Sequence, residues 1–227
     1  MADAFHAVFR HGAYAQRAGV PSARQPWPLT DEGKAQARAG AKLLHDMLTR
    51  RGLTLAPLIH CSRQLRAWHT ADLLADALRE LGHDITGLRE TSALAERGLG
   101  SAANLTVPEV EAALAADPRH DAPPPGWKSD SDYCLPLEGA ESLMMAGARV
   151  ANHLEMTGKP GRVVVHVGHG ASFRHACHLL GLLSRQDIAR LSMFHARPSL
   201  IRHGTDGKWQ HLAGAWKTRE PKEDPGD

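Results

Sequence analysis

Three cysteines in 227 residues, Cys61, Cys134 and Cys177, are too few and too far apart for a disulfide framework. They are expected as reduced thiols in a cytosolic protein. No apolar run reaches the length of a membrane span, so no membrane partner is expected. Met1-Ala2-Asp3 lacks the charged and apolar regions of a signal peptide, and a cytoplasmic location is the default expectation. Excess charge of one sign is lacking too. The net charge is +2 and no Lys/Arg run is dense, which argues against a nucleic-acid partner. There is no internal repeat.

What is present fits an ordinary globular chain, with 42% hydrophobic and 23% charged residues. The length predicts a single domain over 1–216 with its own core. The charged, Pro-bearing residues 217–227 are expected to form a disordered tail. Histidine is the one residue in excess, with 15 copies.

Apolar patterning alternates short strands with helices. A first strand, Ala4 to Phe9, runs into Arg10-His11-Gly12. Thr30 caps a helix whose stripe is Ala37, Ala41, Leu44 and Leu48. Leu53 to His60 reads as a strand interrupted by Pro57, followed by a helix from about Gln64 to Leu81. Glu90 to Leu94 suggests a short extended piece. Thr106-Val107-Pro108-Glu109 is a capping box that opens another helix. Residues 117–137 carry five prolines and read as part of an inserted lid over about 96–137. A helix is expected over Glu138 to Met156. Arg162 to Val167 is the clearest strand, with Gly168-His169-Gly170 and a helix from Ser172 behind it. Ser192 to His203 and Lys208 to Leu212 read as a terminal hairpin around Gly204 to Gly207. The predicted class is α/β: a doubly wound three-layer sandwich with a mostly parallel central sheet and an inserted helical and loop lid.

Ligands of such sheets bind beyond the carboxyl ends of the strands. Three strand ends here carry residues suited to phosphate. Arg10 offers a planar fork and His11 a neutral nucleophile. Gly12 lets a ligand approach the backbone. Ser62 is expected to cap a helix whose first turn bears Arg66, a good seat for an anion. The bland alternative is a surface helix with solvated arginines. His169, between Gly168 and Gly170, is expected to project into the crevice. None of these stretches is specific alone.

In this order, Arg10-His11-Gly12, Ser62…Arg66-Ala67…Thr70-Ala71 and Gly168-His169-Gly170 resemble the histidine phosphatase superfamily, which includes the cofactor-dependent phosphoglycerate mutases. The resemblance spans roughly Phe5 to Arg202. It implies that His11 attacks phosphorus and becomes a phosphohistidine, while Arg10, Arg66 and His169 hold the phosphoryl oxygens. Gly12, Ser62 and Gly170 would line the substrate site. Some branches carry an Asp after the second histidine motif, but here Ala171 follows Gly170. Leu94-Ala95-Glu96-Arg97-Gly98 resembles the Glu-Arg stretch of the mutase-like branch, so Glu96 becomes the general acid. Arg97 and Arg119 correspond to arginines that bind substrate anions in the mutases.

The branch stays open. Ala13-Tyr14-Ala15-Gln16-Arg17 departs from the mutase loop, and Arg-His-Gly-x-Tyr looks more like phosphatase members. A weaker phosphate loop favours hydrolysis, since a mutase must shield its phosphohistidine from water. The leading expectation is a metal-independent phosphomonoesterase acting on a small phosphorylated substrate, with no cofactor. One alternative is a phosphoglycerate mutase dependent on 2,3-bisphosphoglycerate. Another is a pseudo-enzyme that holds a phosphorylated partner such as a phosphoprotein. A homodimer is compatible with any of these. No catalytic metal is expected, because arginines supply the positive charge. His166 and His169 should face opposite sides of their strand, and His175 and His178 lack a further ligand. Cys61 reads as a small buried thiol with no base beside it.

Overall fold

A computed structural model describes residues 2–219. Its centre is a six-stranded sheet in the order β3-β2-β4-β1-β6-β7. β1 (Ala4–Arg10), β2 (Thr54–Ser62), β3 (Gly87–Thr91) and β4 (Arg162–Gly168) run parallel. β6 (Pro198–His203) and β7 (Trp209–Ala213) add an antiparallel edge beside β1. A separate two-stranded sheet joins β5 (Leu191–Met193) to β8 (Trp216–Thr218).

Strand periodicity of two sorts side chains between the faces. Ala7, Phe9, Ile59, Cys61, Val163, Val165 and Val167 bury against α1 (Asp31–Thr49) and α2 (Leu65–Glu80). Val8 and Ile201 bury on the other face, against α4 (Leu143–Thr157) and α5 (Gly170–Leu179). Residues 96–137 include α3 (Val107–Ala116) and hold a small core of their own from Leu99, Val110, Leu114, Trp127 and Leu135. The short α6 (Arg185–Arg190) completes the helices among the described residues. The doubly wound, mostly parallel architecture is the expected one. No helix among the described residues is long and apolar enough to cross a membrane.

Local signals account for most boundaries. Thr30 accepts from the Gly33 amide at the start of α1, and Thr106 with Glu109 closes the capping box of α3. α4 starts at Leu143, five residues later than the expected Glu138. Gly139 takes a left-handed φ of 76°, and Ser142 is the residue whose side chain caps the helix. Pro57 does not break β2; the register slips between Leu55 and Ile59 instead. Lys217 and Thr218 of β8, expected in a disordered tail, instead pair with Ser192 and Leu191. The rest of that expectation, 220–227, lies outside the described residues.

Candidate active site

β1 and β4 are neighbours, with Arg10 paired to Gly168, so the residues that follow each strand emerge side by side. The His11 amide donates to the Gly168 carbonyl at 3.0 Å, which fixes that proximity. The rings of His11 and His169 lie 5.2 Å apart, and both are buried. β2, on the other side of β4, delivers Ser62.

Arg66 ties the group together from the first turn of α2. Its Nε donates to His11 Nε2 at 3.1 Å. One terminal nitrogen reaches His169 Nδ1 at 3.2 Å, and the other donates to the Gln25 carbonyl. Tyr14 lies under the guanidinium at 4.8 Å. Guanidinium nitrogens only donate, so these bonds fix the tautomers. His11 keeps its lone pair on Nε2, and its Nδ1–H donates to the Gly12 carbonyl at 2.8 Å. His169 accepts at Nδ1, and its Nε2–H donates to Ser62 Oγ at 3.0 Å.

The electrostatics agree. Burial, then the Arg66 guanidinium, hold both imidazoles well below their usual pKa, with further help from Arg10 and, for His11, from His169. Both rings are therefore neutral at pH 7. A neutral buried imidazole flanked by Arg10 and Arg66 is an arrangement suited to an anion.

Glu96 lies on the loop between β3 and the inserted segment. One carboxylate oxygen accepts from the Ser172 and Arg97 amides at 3.0 Å, and the other accepts from Ala171 at 3.3 Å. The carboxylate thus sits on the N-terminus of α5, one turn of chain from His169. Arg149 of α4 braces this loop through the carbonyls of Ser92, Ala93, Ala95 and Glu96, and it pairs with Glu141 at 2.8 Å.

Some expected roles change. Ser62 does not cap α2: it is the last residue of β2, Gln64 is the N-cap, and no side chain caps that helix. Ser62 Oγ orients His169 instead. Gly12 is required by packing, since a Cβ there would lie 2.5 Å from the Gly33 carbonyl of α1. At Gly170 a Cβ would press on the Arg10 side chain at 3.1 Å. Arg97 is buried in the inserted segment, 5.9 Å from the Trp127 ring. Arg119 is not gathered into the group. Its guanidinium forks onto Asp117 at 2.7 and 2.9 Å, and its side chain is 76% exposed.

Sequence reasoning missed two contributors. His195 stands 5.8 Å from His11 because its segment bridges to Arg10. Gln25 folds the loop after Gly12 through Arg17 and Val20 and presents its carbonyl to Arg66. Neither belongs to a spacing pattern; only the chain path brings them in. Cys61 is buried with its thiol pushed up to about 12, mainly by desolvation, as an inert core residue would be. His175 and His178 bond separately, to Ser131 and Ala171 and to Leu183.

The sequence profile of the histidine phosphatase superfamily (branch 1) matches residues 7–215. A 2,3-bisphosphoglycerate-dependent phosphoglycerate mutase of Rhizobium meliloti (strain 1021) is 26% identical over 182 residues, 78% of this chain and 79% of that protein. A mycobacterial glucosyl-3-phosphoglycerate phosphatase superposes with a TM-score of 0.66 at 21% identity, over 92% of this chain and 97% of that one. A phosphoglycerate mutase from Bacillus anthracis str. Sterne gives 0.68 at 18%, over 94% and 93%.

Proposed function

This chain belongs to the histidine phosphatase superfamily (branch 1), and from that membership we propose that it is a metal-independent phosphomonoesterase working through a phosphohistidine at His11. The observation that carries the reading is the His11 tautomer. Its Nδ1–H is spent on Gly12, so the lone pair on Nε2 faces the Arg66 guanidinium, where a phosphoryl group would be held.

In the first step, Nε2 attacks phosphorus, the N–P bond forms and the P–O bond to the leaving group breaks. The Arg66 bond to Nε2 shifts onto a phosphoryl oxygen. Arg10, Arg66 and His169 balance the charge that develops there. Glu96 protonates the leaving oxygen and then takes a proton from the water that cleaves the N–P bond, which returns neutral His11. To do this its carboxyl group must swing off the α5 amides. The arginines provide the cationic stabilisation that a metal supplies elsewhere. The substrate is a small phosphorylated molecule, and no cofactor takes part.

Hydrolysis is favoured over transfer by the loop after Gly12. The Ala13 amide is spent on Gln36 and the Ala15 amide on the Pro28 carbonyl, so neither is left for phosphate. The mutase reading keeps one specific support, the named activity of the curated relative. In that case 2,3-bisphosphoglycerate would prime His11. p-Nitrophenyl phosphate separates the readings. Turnover that persists in chelator supports the phosphatase. Turnover of 3-phosphoglycerate that needs bisphosphoglycerate supports the mutase. Silence on both, with phosphate still bound, leaves a phospho-partner binder.

A further inference from the structure

The fold assembles a second set of histidines away from the phosphate pocket. His6 of β1, His60 of β2 and His166 of β4 alternate with residues that face α1 and α2, so all three point to the α4 side. β2, β4 and β1 are adjacent in that order, and His60 pairs directly with His166. His153 of α4 comes down onto them.

Ring nitrogens of His60, His153 and His166 all lie within 4.8 Å of one another. His60 Nδ1 and His153 Nε2 are 3.1 Å apart. Two imidazoles on one tetrahedral ion with Zn–N of about 2.0–2.1 Å stand roughly 3.3 Å apart. The observed pair is near that edge, and the third nitrogen lies within 4.8 Å of both.

His166 supplies the second, independent observation. It is fully buried, and its Nδ1 has no hydrogen-bond partner among the described residues. Its Nε2 is engaged with His6 Nδ1 at 3.1 Å. A metal-bound histidine characteristically donates its far N–H to a supporting group, and His6 stands where that group belongs. A lone pair on Nδ1 with nothing to accept is costly at zero exposure, and an ion would satisfy it.

The geometry points to a site for a zinc-class transition-metal ion, ligated by His60, His153 and His166 and supported by His6. Three neutral imidazoles suit Zn²⁺, Co²⁺, Ni²⁺ or Cu²⁺ over Mg²⁺ or Ca²⁺. All four rings are held below their usual pKa, chiefly by burial, so no proton competes with the metal at pH 7. A pocket of about 430 Å³ leads in past His60 and Val164, and its wall carries Arg89, Lys159 and Arg162.

The site does not depend on the phosphatase reading. The test uses the full untagged chain, stripped with chelator and titrated with Co²⁺. One equivalent should bind with the intense visible bands of a tetrahedral centre, and Zn²⁺ should displace it. His153→Gln and His60→Gln should each abolish the bands, and phosphate-ester turnover, a check on folding, should stay within about twofold. His6→Gln should weaken the ion about 10- to 100-fold. Absence of the tetrahedral signal in the unsubstituted chain overturns the site. So does a signal that survives in both ligand variants, since the ion then sits elsewhere, for example on the His45–His83 pair.

Discussion

Two groups of histidines share one sheet and have opposite surroundings. At the carboxyl ends of β1 and β4, His11 and His169 are threaded by the Arg66 guanidinium. Deeper in the sheet, His6, His60, His153 and His166 meet mainly one another. Burial lowers the basicity of both groups. Only the first has a guanidinium hydrogen-bonded directly to its ring nitrogens, an arrangement suited to an anion. In the second the rings bond mainly one another and leave His166 Nδ1 without a partner among the described residues, which suits a cation. Burial makes a histidine neutral, and the neighbour then decides what it binds.

The largest effect should separate the two groups outright. His11→Ala should lose on the order of 10⁴- to 10⁶-fold in kcat, as removal of a nucleophile does. It should also lose the acid-labile phosphoenzyme. His60→Gln should leave kcat within about twofold under the same assay. A phosphoenzyme persisting in His11→Ala would break the distinction at its root.

Arg66→Gln should lower kcat by about 10²- to 10³-fold, the scale of one lost charge-stabilising donor. It also tests electrostatics. Protonated His11 cannot attack, and its pKa lies well below 6.5 through burial first and Arg66 second. The acid limb of kcat/KM in the unsubstituted enzyme should therefore fall below pH 6.5. Removing the guanidinium should move that limb up, and an unmoved limb would take Arg66 out of the electrostatic account.

The deeper group should register in stability. His6 and His60 are pushed down to about 3 and about 4, mainly by desolvation. The unfolded chain, titrating near 6.5, then binds more protons than the folded one between those values. Stability is full above pH 6.5 and falls as pH drops towards 4, by at most ~1.4 kcal/mol per pH unit for each ring. Urea unfolding of the metal-free chain at pH 7 and pH 5 measures the slope. His60→Gln should flatten it, and equal slopes would mean these rings are not held neutral.

The smallest effect concerns the inserted segment. Arg119→Ala should change kcat/KM by less than about twofold, since its exposed pair with Asp117 contributes little. A tenfold loss would bring Arg119 back to the substrate.

The gathering of His11, Arg66 and His169 was legible because three strand ends announce themselves. An apolar run that stops at Arg10-His11, at Ser62 or at Gly168-His169 identifies a crevice before any topology is known. The helix starts at Thr30 and Thr106 were legible through their caps. Ser62 was placed correctly and given the wrong task, because a serine before a helix reads as a cap until a partner such as His169 appears. Arg119 was misjudged because a resemblance carries a residue type, not the direction of its side chain. His195 and Gln25 were invisible for want of any local spacing. The deeper histidines were invisible for another reason. Alternation shows which face His6, His60 and His166 take, but only the strand order β2-β4-β1 makes them neighbours, and that order is a property of the folded sheet.

Arg149 gathers four successive-loop carbonyls and the Glu141 carboxylate on one guanidinium. The arm that carries Glu96 is thereby splinted to α4, while its carboxylate rests on the first amides of α5, so two helices set where that group can reach. A tilt of α4 would shift the backbone that carries Glu96, the proposed proton donor, relative to His11. In the proposed reaction the acid and the nucleophile hang from different girders, and their alignment depends in part on how firmly α4 is bolted down.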